Sequence, residues 1–174
     1  EVQTGFGRTG KLFAHEWSGV TPDVMACAKG IAGGFPCGAV LATEAVASSM
    51  TAGSHGSTFG GNPLAMAVAN ANLDVLTSEG FLDNVIRSGE ALRTGLREIS
   101  GRYPGIITDV RGKGLMIGMV VDRAFTNGQL GDAARDAGLL TVVAGENVLR
   151  MLPPLIIGES EIAEALEAIE KACA

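Results

Sequence analysis

The sequence predicts an α/β fold in two parts, and three observations carry that prediction. Short apolar runs bounded by glycine, "DVMACA" and "CGAVLAT", have the length and flanks of buried strands. Helical patterns alternate with such runs, the clearest opening on Asn62 and Pro63, an N-cap followed by a first-turn proline. The third observation is a change of pattern near Gly80. The helix from Pro63 is apolar on every side in its first half, whereas the helix after Gly80 is amphipathic. The boundary therefore separates 1–79 from 80–174.

In chain order, "EVQ" reads as the end of a strand running into the glycine-rich turn "TGFGRTG", and "KLFAHEWSG" as a short helix closed by Gly19. The strands "DVMACA" and "CGAVLAT" flank Lys29 and "GIAGGFP". The helix from Pro63 should be buried all round. Beyond Gly80, Leu82, Val85, Ile86, Gly89, Leu92, Leu96 and Ile99 form one stripe of a long helix, with most charges off it. "GIITDVRGKGLMIGMVVD" reads as two strands joined by a glycine-rich kink. "LGDAARDAG" is a helix closed by Gly138, and "LLTVV" and "NVLRML" are short strands. Ile162, Leu166, Ile169 and Cys173 mark the buried stripe of a closing helix.

Composition excludes several classes of function. The chain is 47% hydrophobic and 18% charged, against roughly 25% charged in a typical soluble domain. A large core or a sizeable oligomer interface is expected. A net charge of −6 speaks against a nucleic-acid or anionic-membrane surface. No apolar run approaches the length of about 18 residues needed to span a bilayer, and the polar opening "EVQTGFGRTG" does not read as a secretory leader. Cys27, Cys37 and Cys173 form no CxxC pair, and with only His15 and His55 beside them no metal site is expected. Reduced cysteines of a cytoplasmic protein fit this pattern. The chain lacks an initiator Met and starts inside what reads as a motif, so an N-terminal truncation is expected.

Gly5, Gly7 and Gly10 spell the dinucleotide fingerprint G-x-G-x-x-G. The strand before it is a stub, the helix after it is short, and Asp23 follows Pro22 in a loop instead of ending a second strand. A P-loop fails as well, because Leu12 stands where a magnesium-binding Ser or Thr is required. A glycine-rich turn is the simpler reading.

Lys29 is different. At the end of a buried strand it occupies the place where open α/β sheets put their ligands, and burial there would favour a neutral amine able to attack an aldehyde. Gly30, Ala32, Gly33 and Gly34 leave space beside it for a ring; a lysine snorkelling next to a flexible loop is the alternative. "GSHGSTFGGNP" sets the Ser57 and Thr58 hydroxyls among glycine amides before a capped helix, which suits a phosphate or simply a polar capping loop. Arg150 in "NVLRMLPPL" shares a strand face with Val148 and Leu152, so it either meets a carboxylate or reaches solvent from an edge. An amine for an aldehyde, a cradle for phosphate and a guanidinium for carboxylate together suggest pyridoxal 5'-phosphate acting on an amino acid.

Five stretches, "EVQTGFGRTGKLFAHE", "PDVMACAKGIAGGFPCGAV", "HGSTFGGNPLA", "VRGKGLMIG" and "VLRMLPPLI", run through essentially the whole chain in order. In them the sequence resembles the class III aminotransferases. The resemblance implies a fold-type I pyridoxal-phosphate-dependent transferase, with 1–79 the C-terminal part of the large cofactor-binding domain and 80–174 the small α/β domain. It implies that Lys29 bonds the cofactor aldehyde and then moves protons, that Val2 packs on the pyridine ring, and that Gln3 hydrogen-bonds the phenolic oxygen. Thr58 would bind the cofactor phosphate of the neighbouring subunit in a homodimer. Ser57 would touch substrate or phosphate, and Arg150 would grip the substrate α-carboxylate. The implied reaction is amino transfer between N-acetylornithine and 2-oxoglutarate, with ornithine, 4-aminobutyrate or a succinylated diamine as alternative donors.

The family also places an aspartate before "EVQ", where this chain begins with Glu1. An upstream phosphate loop, an aromatic that stacks on the ring and a further substrate arginine would precede residue 1 as well. The expectation is the C-terminal half of such an enzyme, inactive by itself. A non-catalytic truncated module is the competing class.

Overall fold

The computed structural model describes residues 1–174, which divide into two units, Glu1–Leu82 and Asp83–Ala174. The first unit opens with turns over 2–9 and not with a strand. The Gly5 amide donates to the Glu1 carbonyl at 3.0 Å, and the Glu1 carboxylate accepts from the Thr4 hydroxyl and from the His15 amide at 2.9 Å. Those bonds curl "EVQ" into a turn, away from a ladder. A 3₁₀ turn, Ala14–Ser18, then ends at Gly19, whose φ of 64° only glycine adopts freely.

β1 (Val24–Cys27) pairs antiparallel with β2 (Ala39–Ala42), from Val24 opposite Ala42 to Cys27 opposite Ala39. Between them lies a second 3₁₀ turn, Lys29–Ala32. Both strands exist as predicted, but their predicted burial does not hold. Val24, Val40 and Leu41 are exposed, because this ribbon has one neighbour per strand within the unit. After α1 (Glu44–Ala47) and a loop comes α2 (Pro63–Leu76). The Asn62 carboxamide oxygen accepts from the Ala65 amide at 2.9 Å, the N-cap that the sequence announces. Burial of α2 on all sides is corrected likewise: Ala65 and Leu76 are buried, whereas Leu64 and Met66 are 61% and 39% exposed.

α3 (Phe81–Arg102), which runs from the end of the first unit into the second, buries Val85, Ser88, Gly89, Leu92, Leu96 and Ile99; of the predicted stripe Leu82 and Ile86 are only half-buried, and Ser88 is added. β3 (Ile107–Lys113) and β4 (Met116–Val121) form a hairpin. α4 (Asn127–Asp136) starts on a capping box in which the Thr126 hydroxyl accepts from the Gln129 amide at 3.1 Å. β5 (Val142–Ala144) and β6 (Val148–Met151) complete an antiparallel sheet of order β3-β4-β6-β5, and α5 (Glu159–Cys173) closes the chain. Ile117, Met119 and Val121 alternate into the core of β4, and Leu149 of β6 is fully buried. α4 lies against β4, β5, β6 and α5. α3 approaches the hairpin at Gly89, where a Cβ would stand 2.2 Å from the Gly114 carbonyl oxygen, and α5 at Gly95, opposite Leu166. No helix is long and apolar enough to cross a membrane.

Candidate active site

Lys29 follows β1 by one residue and opens the turn Lys29–Ala32 with φ 48°. For a residue carrying a side chain, this left-handed conformation costs about 1–3 kcal/mol and persists only where the surroundings hold it. Ala32 is fully buried, and the Ile31 amide closes the turn on the Ala28 carbonyl at 3.2 Å. On one side Gly30 packs against Phe6, with room for a Cβ only 3.3 Å from the Phe6 Cβ. On the other, Asn72 of α2 donates from Nδ2 to the Gly30 carbonyl at 2.8 Å and to the Ile31 carbonyl at 3.3 Å. Gly33, at φ 57°, makes space for that carboxamide; a Cβ there would lie 2.9 Å from Asn72 Oδ1. The Lys29 side chain is exposed instead of buried, at the end of a two-stranded ribbon.

Phe6 also ties the opening turn to Lys29. Phe6 and Phe13 meet edge to face at 5.5 Å, and Phe13 stacks on His15 at 5.9 Å, so residues 1–15 form one braced loop whose Gly5–Phe6 corner rests on Gly30. Val2 and Gln3 stand exposed on that loop. Burial would raise the Glu1 carboxyl pKa, but hydrogen bonds from the Thr4 hydroxyl and the His15 and Ala14 amides outweigh it and hold the value below the ordinary range. The glycine fingerprint is used up internally: the Gly5, Gly7 and Gly10 amides donate to the carbonyls of Glu1, Leu12 and Gly7. A loop whose amides bond its own carbonyls offers no phosphate cradle, which disposes of the nucleotide reading on geometric grounds.

Ser57 and Thr58 lie exposed in the loop before α2. The Gly60 amide donates to the Ser57 carbonyl at 3.4 Å, and the Asn62 side chain donates to the Phe59 carbonyl at 2.9 Å, folding the loop back on the helix start. From Asn62 to Asn72 is ten residues of helix, or about 15 Å. The hydroxyl loop and the Lys29 turn are thus held at well-separated points along α2.

Arg150 belongs to the second unit, in the middle of β6, with Gly118 on one side and Val142 on the other. It is half-buried, its Nε is shielded from solvent, and it borders a cavity of about 600 Å³ formed with Leu140, Pro153 and α5. Its strand is anchored by Asn147, whose Nδ2 donates to the Val121 and Phe125 carbonyls, each at 3.0 Å, while its Oδ1 accepts from the Asn127 amide at 2.7 Å. Neither Asn72 nor Asn147 stands out as functional in the sequence. The available signals were an asparagine inside the apolar run "AMAVANANLDVL" and one at the turn before "VLRML". Cys27 and Cys173 are free and buried, and burial raises both thiol pKa values, that of Cys173 to about 11 with Glu170 adding to the rise.

The residues of the first unit fit pyridoxal phosphate. The exposed Lys29 amine suits its aldehyde and exposed Val2 and Gln3 suit an aromatic ring carrying a polar oxygen, whereas the Ser57 and Thr58 hydroxyls, which suit a phosphate, are held apart from Lys29 along α2.

Sequence comparison supplies the family of this α/β chain. The family model described as aminotransferase class-III matches residues 1–173, and the chain belongs to that family, whose fold is that of the fold-type I pyridoxal-phosphate enzymes. Among its relatives is the acetylornithine aminotransferase of Mesorhizobium japonicum, 57% identical over 169 residues that cover 97% of this chain and 42% of the relative. Among solved structures, acetylornithine aminotransferase from Elizabethkingia anophelis superposes with a TM-score of 0.89 at 38% identity, over 99% of this chain and 44% of that one. Ornithine δ-aminotransferase of Plasmodium falciparum gives 0.91 at 35% identity, over 99% and 45%. The chain spans less than half the length of each.

Proposed function

We propose that this chain carries the lysine and the carboxylate-binding arginine of a pyridoxal-phosphate-dependent aminotransferase that moves an amino group between N-acetylornithine and 2-oxoglutarate. The observation that carries the reading is Lys29, an exposed amine on a strained and doubly braced turn, in a chain 57% identical to a relative named acetylornithine aminotransferase. The bound cofactor would supply an electron sink for the substrate's Cα–H bond. Lys29 would bond the cofactor aldehyde and, once displaced by substrate, carry the proton between Cα and the cofactor carbon. Val2 would pack on the ring and Gln3 would donate to its phenolic oxygen. Thr58 would bind a phosphate oxygen in the neighbouring subunit of a homodimer, with Ser57 beside it. Arg150, planar and permanently charged, would hold the α-carboxylate that both the amino donor and the oxo acid present.

On this reading 1–79 is part of the large cofactor-binding domain and 80–174 the small domain. Turnover would require the remaining length that the relatives have, in a protein working in the cytoplasm on free amino acids of arginine biosynthesis. The fit to the Plasmodium falciparum ornithine enzyme supports ornithine as the second candidate donor.

The test uses the full-length protein. Lys29→Ala should abolish the visible absorbance of bound cofactor and nearly all glutamate formation from N-acetylornithine and 2-oxoglutarate. A Lys29→Ala variant that keeps wild-type turnover would sink the assignment. Equal rates with ornithine would move the donor to the second candidate.

A further inference from the structure

We infer that Asn72 is a positioning residue for Lys29, its carboxamide fixing the lysine turn so that the amine leaves it in one direction. The inference rests on the proposed role of Lys29. Four observations carry it. Lys29 holds a left-handed φ of 48° that a side-chain-bearing residue does not keep unaided. The turn is only four residues long, and the bond that closes it on Gly30, from the Gly33 amide, is a long one at 3.4 Å, beside Ile31 to Ala28 at 3.2 Å and Phe35 to Ala32 at 3.0 Å. Asn72 reaches it from 42 residues away and bonds two successive carbonyls, those of Gly30 and Ile31. Gly33, itself left-handed, keeps open the space that the carboxamide fills.

A neutral amide with two N–H donors serves both carbonyls at once. An aliphatic side chain of similar size serves neither, and an aspartate of the same shape presents acceptors to acceptors. Without the two bonds, the Gly30 and Ile31 carbonyls lose their hydrogen-bonded tether to α2, and packing alone has to hold the turn out of the ordinary right-handed region. The Lys29 amine then samples several directions. Its chemistry needs one, since a misplacement of about 1 Å can lower a rate by up to a hundredfold.

The experiment compares full-length holoenzyme of wild type, Asn72→Asp, Asn72→Leu and, as a control on the same helix, Asn70→Asp. Three quantities are read: visible circular dichroism of the bound cofactor, the rate at which borohydride fixes cofactor to the Lys29 peptide, and thermal stability. Both Asn72 variants should lose most of the cofactor's dichroism and be fixed about tenfold more slowly, while Asn70→Asp matches wild type. Should Asn72→Leu fail to fold, Asn72→Asp, which keeps the shape, carries the decision. Wild-type dichroism and fixation in the Asn72 variants, with or without a fall in melting temperature, would leave Asn72 a purely structural role and overturn the inference. Absence of fixation at Lys29 in wild type would instead remove the proposed function, and the inference with it.

Discussion

The difference between Arg150 and a generic cation shows what single side chains contribute. Arg150 is half-buried in the middle of β6, with Val142 and Gly118 as lateral neighbours and its Nε shielded from solvent. Arg150→Lys keeps the charge and loses the paired N–H fork. A lost charged hydrogen bond is worth about 1.5–3 kcal/mol, so kcat/KM should fall roughly ten- to a hundredfold. Steady-state assays of each half-reaction should show the loss for the amino donor and for 2-oxoglutarate alike, because both present an α-carboxylate. A defect confined to one half-reaction would take Arg150 out of this role. Lys29, Ser57, Thr58 and Arg150 stand out in the sequence as candidates because each is a reactive or charged type set among glycine or apolar neighbours. Asn72 and Asn147 were not. Their work is to bond backbone carbonyls far away in the sequence, and no local pattern announces a long-range acceptor.

Elements were legible where the signal is local. The Asn62 cap, the α3 stripe and the glycine stops after Ala14–Ser18 and α4 follow from capping chemistry and a 3.6-residue period, and the structure has them. Burial of β1, β2 and α2 was misread, since an apolar run reports a preference for burial and not the presence of a cover. Gly89 shows what periodicity can and cannot say. It falls on the buried stripe, but the reason for glycine is the close approach of α3 to the hairpin backbone at Gly114. Gly89→Ala would place a methyl against main-chain atoms that cannot swing away, which should destabilise the second unit by about 1–3 kcal/mol. Gly101, near the end of the same helix, has nothing within 4 Å of a Cβ. Gly101→Ala should be neutral or stabilise by up to about 1 kcal/mol. Urea unfolding of the two variants side by side checks the contrast; equal effects would mean that the Gly89 contact is not what holds the helix to the hairpin.

At the scale of the whole molecule, α2 imposes the decisive geometry. One end of it holds the hydroxyl loop through Asn62, and Asn72, about 15 Å along the axis, holds the Lys29 turn. A cofactor whose aldehyde sits on Lys29 has its phosphate only a few bonds away, which favours taking the Thr58 hydroxyl from a different copy of the chain. The exposed apolar side chains of that loop and of the helix start are consistent with such a pairing: Phe59 is 81% exposed, and Leu64, on the first turn of α2, is exposed as well. If full-length subunits share sites in this way, Lys29→Ala and Thr58→Ala act in different subunits of the same site. Each variant alone should be impaired, Lys29→Ala almost completely and Thr58→Ala through weaker cofactor retention of about 1–3 kcal/mol. Mixed within one dimer, they leave one site with both defects and one with neither. A purified heterodimer, separated by two different tags, should therefore recover close to half of the wild-type activity per dimer and retain one tightly held cofactor. A verified heterodimer with no more activity than the sum of its single-variant parents would show that Lys29 and Thr58 serve the same cofactor from one chain.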